Sequence, residues 1–143
     1  MKRVLIPVDG SECALRAVSL VIDKRSRYAD PDGLDIHLVN VQPPLSHDIS
    51  RFASHEQIVA FHRDESETQM KVAREMLDAA QAKYICHCEV GHPAEVICAL
   101  ADRLGCDQIV MGTHGRTALV ELLLGSITLK VLHLTKIPVL LVK

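Results

Sequence analysis

Five short apolar runs punctuate this chain: Val4–Val8, Leu34–Val41, Tyr84–Val90, Cys106–Met111 and Ile137–Val142. A longer segment of helical periodicity or turn chemistry follows each of the first four. That alternation leaves few folds open. The runs are near-continuous rather than strictly alternating in polarity, which is the pattern of strands buried on both faces. Helical segments between such strands supply right-handed crossovers, so the strands are expected to be parallel.

The boundaries can be read residue by residue. Arg3–Val8 reads as the first strand, closed by Asp9-Gly10. Ser11 is placed to cap a helix running to about Arg27, with Ala14, Ala17, Val18, Val21 and Ile22 on one face. Asp30-Pro31-Asp32-Gly33 is a turn signal. The second strand, Leu34–Val41, ends at Pro43-Pro44, and 43–55 is the longest irregular stretch. A helix from His55 or Glu56 to Lys83 carries a stripe at Met70, Ala73, Leu77 and Ala80, while Arg63–Gln69 reads as solvated. After the third strand, Tyr84–Val90, Pro93 opens a helix that ends at Leu104, capped by Gly105. Cys106–Met111, a loop over 112–125, a helix Ser126–Leu134 and the strand Ile137–Val142 complete the chain.

The expected fold is therefore α/β: a single doubly wound, Rossmann-like sheet of five parallel strands in the order 3-2-1-4-5, with helices on both faces. Residues 1–143 read as one domain without linker or repeat. That length is enough to bury about two thirds of the surface of the unfolded chain.

Composition narrows the function. Sixteen Lys+Arg against 18 Asp+Glu give a formal charge of −2, which argues against a nucleic-acid binder with a basic face. Aromatic residues are 3% of the chain, too few for base-stacking platforms. No apolar stretch approaches the roughly 20 residues of a spanning helix. The N-terminal apolar run is too short for a secretory signal, so a cytoplasmic protein without membrane insertion is expected. Five cysteines, mostly inside apolar patterns, read as small buried hydrophobes.

In doubly wound sheets the ligand sits beyond the carboxyl ends of the strands, where the strand order reverses. Two polar clusters stand at such ends: Asp9-Gly10-Ser11 after the first strand and Gly112-Thr113-His114-Gly115-Arg116 after the fourth. Gly112-x2-Gly115-x9-Gly125-Ser126 is the informative spacing. Glycines let main-chain N–H groups approach an anion, and a helix start at Gly125-Ser126-Ile127-Thr128 adds free amides, a positive dipole end and two hydroxyls. The same residues would also serve as a plain turn with Ser126 as an N-cap. The dinucleotide fingerprint, the P-loop and the nucleophile elbow are all missing.

These motifs resemble those of the universal stress proteins over essentially the whole chain. The likeness runs through Val4–Ser11, Val41-Gln42-Pro43, Gly91-x-Pro93, Met111–Arg116, Gly125-Ser126 and Ile137–Val142. It extends to the glycine pattern of the family's ATP-binding branch. The resemblance implies a bound ATP, or alternatively AMP or ADP, with Mg2+ or Mn2+ held mainly by the phosphates. By position, main chain around Val39-Asn40-Val41 would hold the adenine edge, and Pro7, Val8 and Asp9 would line the nucleoside. Met111 and Gly112 would floor the sugar. Gly115, Arg116, Gly125, Ser126, Ile127 and Thr128 would wrap the phosphates, with His114 beside them. It also implies a homodimer through the edge strand Ile137–Val142, and a stress-response or regulatory module rather than an enzyme. A slow ATPase or phosphotransferase and a nucleotide-free dimerising adaptor are the alternatives.

Asp9 has a second reading, as a helix cap. His114 is as well suited to a structural hydrogen bond as to polarising a phosphate, so no catalytic residue is assigned. Cys86-His87-Cys88 with His92 lacks the turn-forming spacing of a zinc site. On a strand, Cys86 and Cys88 share one face and read as core packing. No metal-ligating set is assigned to them or to His47, His55 and His62, which read as solvated.

Overall fold

The computed structural model describes residues 1–116 and 123–143. Residues 117–122, part of the loop expected over 112–125, lie outside the described residues. The chain forms β1 (Arg3–Pro7), α1 (Glu12–Ser26), a 3-10 turn (Pro31–Gly33), β2 (Asp35–Gln42) and a one-turn α2 (His47–Ser50). It continues through α3 (His55–Ala79), β3 (Tyr84–Val90), α4 (Pro93–Leu104), β4 (Gln108–Gly112), α5 (Ser126–Leu134) and β5 (Val139–Val142).

The sheet has the order β3-β2-β1-β4-β5, parallel throughout, as the alternating pattern predicts. Each strand sends alternate residues to opposite layers. On one face Val4, Ile6, Ile36, Leu38 and Val110 pack against Ala17, Val18 and Val21 of α1 and Met70, Ala73 and Leu77 of α3. On the other, Leu5, Val39, Ile109 and Met111 meet Ala94, Ile97, Leu100 and Ala101 of α4 and Val131 of α5. The switch point lies between β1 and β4.

Local chemistry sets the helix ends. The Ser11 hydroxyl accepts the Ala14 N–H, capping α1 as its sequence predicts. α3 stops at Ala79, four residues before the expected Lys83. Gln81 takes φ +51°, and the Gln81 and Ala82 amides bond back to Asp78 and Leu77 in a left-handed cap that the sequence, lacking Gly there, does not announce. Gly125, not Ser126, is the N-cap residue of α5, and no side chain caps that helix.

Other readings need correction. Because β3 is an edge strand, Cys86 is half-buried and packs against the core, as expected, but Cys88 is exposed and is not core packing; Cys13, Cys98 and Cys106 are buried. His62 is buried rather than solvated, and Ser66, inside the stretch read as solvated, is 1% exposed. α3 is longer than the strands it covers, and its stripe of buried residues begins two turns earlier than the apolar pattern suggests. Among the described residues no three His, Cys, Asp or Glu side chains form a metal-binding group, and no helix is long and apolar enough to cross a membrane.

Candidate functional site

A cavity of about 650 Å3 opens beyond the carboxyl ends of β1, β2 and β4. Its size suits a small ligand. Pro7, Val8, Asp9, Val39, Val41, Met111, Gly112, His114, Gly115, Arg116, Gly125, Ser126, Ile127 and Thr128, fourteen of the residues picked from the sequence, border it together. Asn40 does not. It faces the α1–α3 layer, and its side chain is occupied by Val8 and Gln69. Ala14, Gln42, Pro43, Gln69, Pro93, Ile97, Leu123 and Leu124 also line the cavity and were not singled out.

The two ends of the cavity differ in kind. Toward β2 the lining combines the aliphatic Val39, Val41 and Ile97, with Met111 across from them, and the amide side chains of Gln42 and Gln69. A flat ligand there would lie between methyl and methylene groups. Beyond β4 the lining includes the bare main chain of Gly112, Gly115 and Gly125 beside the side chains of His114, Arg116 and Ile127. α5 starts at this end with its first-turn amides uncapped by any side chain, so the positive end of the helix faces the cavity region. Arg116, exposed, is the cationic side chain on the described lining.

The three motif glycines play different parts. A Cβ on Gly112 would stand 2.8 Å from the Cys13 carbonyl carbon and 2.9 Å from Cys13 Cβ, so this glycine lets α1 close onto β4. At Gly115 a Cβ would come within 3.0 Å of Asp9 Oδ2. At Gly125 it would meet only ordinary contacts, 3.4 Å or more from its neighbours. Gly112 is thus required by packing, while the bare main chain at Gly125 is not.

Asp9 does two things. Its Oδ1 accepts the Ser11 N–H at 3.0 Å and braces the turn into α1, whereas Oδ2 points toward Gly115. Ser11 itself caps the helix, so Asp9 keeps one carboxylate oxygen for the cavity. The Thr128 hydroxyl is directed inward, to the Gly112 and Thr113 carbonyls at 3.2 and 3.3 Å. That ties the start of α5 to the end of β4 and leaves Ser126 as the hydroxyl exposed at the helix start. His114 Nδ1 lies 2.8 Å from Thr113 Oγ1, and its buried Nε2 has no partner among the described residues.

The floor of this end is fastened to the last strand. The Thr113 N–H donates to the Val142 carbonyl at 2.9 Å, and the Cys13 thiol donates to the same oxygen at 3.1 Å. Arg16 Nε reaches the Lys143 carbonyl at 2.6 Å. Val139–Val142 are each half-buried on the open edge of the sheet.

The fold and the cavity define a doubly wound α/β protein with its ligand cleft at the topological switch point. The family model described as the universal stress protein family matches residues 1–143, and the chain belongs to that family. It is similar to universal stress protein MJ0531 of Methanocaldococcus jannaschii, with 32% identity over 142 residues covering 99% of this chain and 82% of that protein. The solved structure of MJ0577, from the same organism, shares 31% identity at a TM-score of 0.81, covering 99% of this chain and 95% of that one. A universal stress protein of Archaeoglobus fulgidus, solved in complex with dAMP, has the same fold at 22% identity. Its TM-score is 0.68, with 100% of this chain and 98% of that one covered.

Proposed function

We propose that residues 1–143 form one nucleotide-binding domain that takes an adenine nucleotide into this cavity. The adenine and sugar lie against Val39, Val41 and Met111, and the phosphates against Gly115, Arg116 and Gly125–Thr128. The observation that carries the reading is the uncapped start of α5 beside a glycine-lined strand end, which offers main-chain amides and a helix dipole to an anion. The dAMP complex of the A. fulgidus relative supports the choice of ligand class. ATP with Mg2+ or Mn2+ is the preferred ligand, since Asp9 Oδ2 stands where a phosphate-bound cation would sit, with AMP or ADP as the alternatives.

The protein acts, on this reading, as a cytoplasmic stress-response or regulatory module. Occupancy alters the surface formed by 112–116 and 123–128, and two copies pair through the β5 edge, whose unpaired apolar strand offers a template for a second chain. Calorimetric titration with Mg-ATP, ADP and AMP tests the site, and limited proteolysis with and without ligand tests the change in surface. Absence of binding, or cleavage unaltered by ligand, would refute the respective part.

Hydrolysis is the second reading, and one observation favours it: His114 Nε2 is buried without a partner among the described residues at the proposed phosphate end. Turnover of the wild type is compared with Asp9→Asn and His114→Ala. Equal low rates in all three leave a binder.

A further inference from the structure

Gln69 sits in a stretch whose sequence reads as solvated, yet it reaches the cavity and is held there by side-chain amides whose polarity is not free. Asn40, 1% exposed, donates through Nδ2 to the Val8 carbonyl and to Gln69 Oε1, each at 2.8 Å. Its Oδ1 accepts from Gln42 Nε2, also at 2.8 Å. A main-chain carbonyl can only accept, so the Asn40 atom facing Val8 has to be the nitrogen. That assignment turns Oδ1 toward Gln42, which then has to donate. It also fixes Gln69, which must present oxygen to Asn40 and turn Nε2 away. The Nε2 hydrogens have no acceptor among the described residues. The Gln69 main chain packs beside Gly10, where a Cβ would make ordinary contact 3.5 Å from Gln69 O and 3.6 Å from its Cα. The donor therefore projects from a fixed point of α3, where the ends of β1 and β2 meet.

We propose that Gln69 is a specificity-determining contact of the nucleotide site, its Nε2 donating to an acceptor atom on the nucleoside part of the ligand. The inference rests on the nucleotide reading above and adds to it the polarity of the recognised atom. That atom is a ring nitrogen or a ribose oxygen acting as acceptor, not an amino group. Rotating Gln69 to offer its oxygen would set nitrogen against Asn40 Nδ2, donor against donor. Rotating Asn40 to suit would set its oxygen against the Val8 carbonyl. The relay thus rejects a ligand that brings a donor to this point, because the unmatched donors would be desolvated without compensation.

The test measures AMP binding by calorimetry for the wild type, Gln69→Met and Gln69→Glu. The 1-deaza, 3-deaza, 7-deaza, 2′-deoxy and 3′-deoxy analogues follow on each protein. Gln69→Glu keeps an oxygen for Asn40 and removes only the donor, so it separates a lost contact from a disturbed relay. Comparing analogue with parent within one protein cancels the added charge. One analogue is expected to bind the wild type about tenfold more weakly than AMP, and to show no further loss in either variant. That analogue names the atom. Penalties equal in all three proteins, no penalty for any analogue, or undiminished AMP affinity in both variants would overturn the role of Gln69 while the nucleotide reading stands. A wild type that binds none of these nucleotides overturns the nucleotide reading, and this inference with it.

Discussion

The two ends of the cavity are built from different materials. Beyond β4 the bare main chain of Gly112 and Gly115 and the uncapped start of α5 lie beside His114 and Arg116. Beyond β2 the wall is side chain, made by valines and by amides braced through Asn40. A main-chain wall is indifferent to the ligand's identity beyond its charge, because every amide offers the same N–H. A side-chain wall can choose, because each amide presents either a donor or an acceptor. On the proposed reading, affinity for an anion and selectivity for a nucleoside would be separated in space, the first drawing on the helix dipole and the second on strand ends.

The largest effect that would sharpen this contrast is at Gly112. Gly112→Val drives a branched side chain into the Cys13 backbone, and a stability loss of about 3 kcal/mol is expected by denaturant unfolding. A loss well under 1 kcal/mol would mean that α1 and β4 yield, and that Gly112 belongs with the ligand after all. Gly125→Val should behave in the opposite way. The fold is retained, since its Cβ meets only ordinary contacts, while Mg-ATP affinity falls by about a hundredfold or more through blocked approach to the main chain. Gly115→Val should share the binding loss and press on Asp9 as well. If both variants bind as tightly as the wild type, the main-chain end is not the anion site.

Asn40→Ala removes the brace of the side-chain end. It leaves the Val8 carbonyl and two glutamine amides short of a partner, so about 2 kcal/mol of stability should be lost. Unchanged stability would show that the relay is not a fixed element.

The smallest effect lies away from the cavity. His87 on β3 sits 2.9 Å from His37, its pKa lowered first by burial and then by the neighbouring His37, with Arg103 acting in the same direction and Glu89 opposing. A histidine whose folded-state pKa lies below its unfolded value takes up protons more readily when unfolded. Stability should therefore fall as pH drops through and below the ordinary histidine range, and be unaffected by His87 well above it. Melting temperatures from pH 8 to 5 should decline less for His87→Gln than for the wild type. Parallel curves would remove His87 from the explanation.

Legibility in the sequence followed the same division. The glycine end could be read because glycine and helix-start residues leave a pattern at fixed spacing, and a parallel sheet followed from uninterrupted apolar runs such as Val4-Leu5-Ile6. Tyr84–Val90, Pro93–Leu104 and Ser126–Leu134 matched the expected elements to the residue. The amide end could not be read. Gln69 and Ser66 lie on a helix among Asp, Glu and Thr, and only the tertiary placement of α3 across the ends of β1 and β2 shows that they point inward. Asn40 was noticed for its main chain, whereas its side chain is what the structure uses. Nothing in an Asn on a buried strand says whether its amide will meet a carbonyl. The early end of α3 was hidden for a similar reason, since Gln81 takes a conformation that glycine usually signals.

The two bonds that meet on the Val142 carbonyl, from Thr113 and from Cys13, put the sheet edge and the β4 end of the cavity within one peptide of each other. Binding free energies coupled through such a joint are reciprocal. If a nucleotide shifts the association of two chains at β5 by some factor, association shifts nucleotide affinity by that same factor. Apparent affinity would then depend on how much of the protein is present, and a rise in its abundance would change occupancy at constant nucleotide concentration. A chain so coupled would report on its own expression level as well as on its ligand.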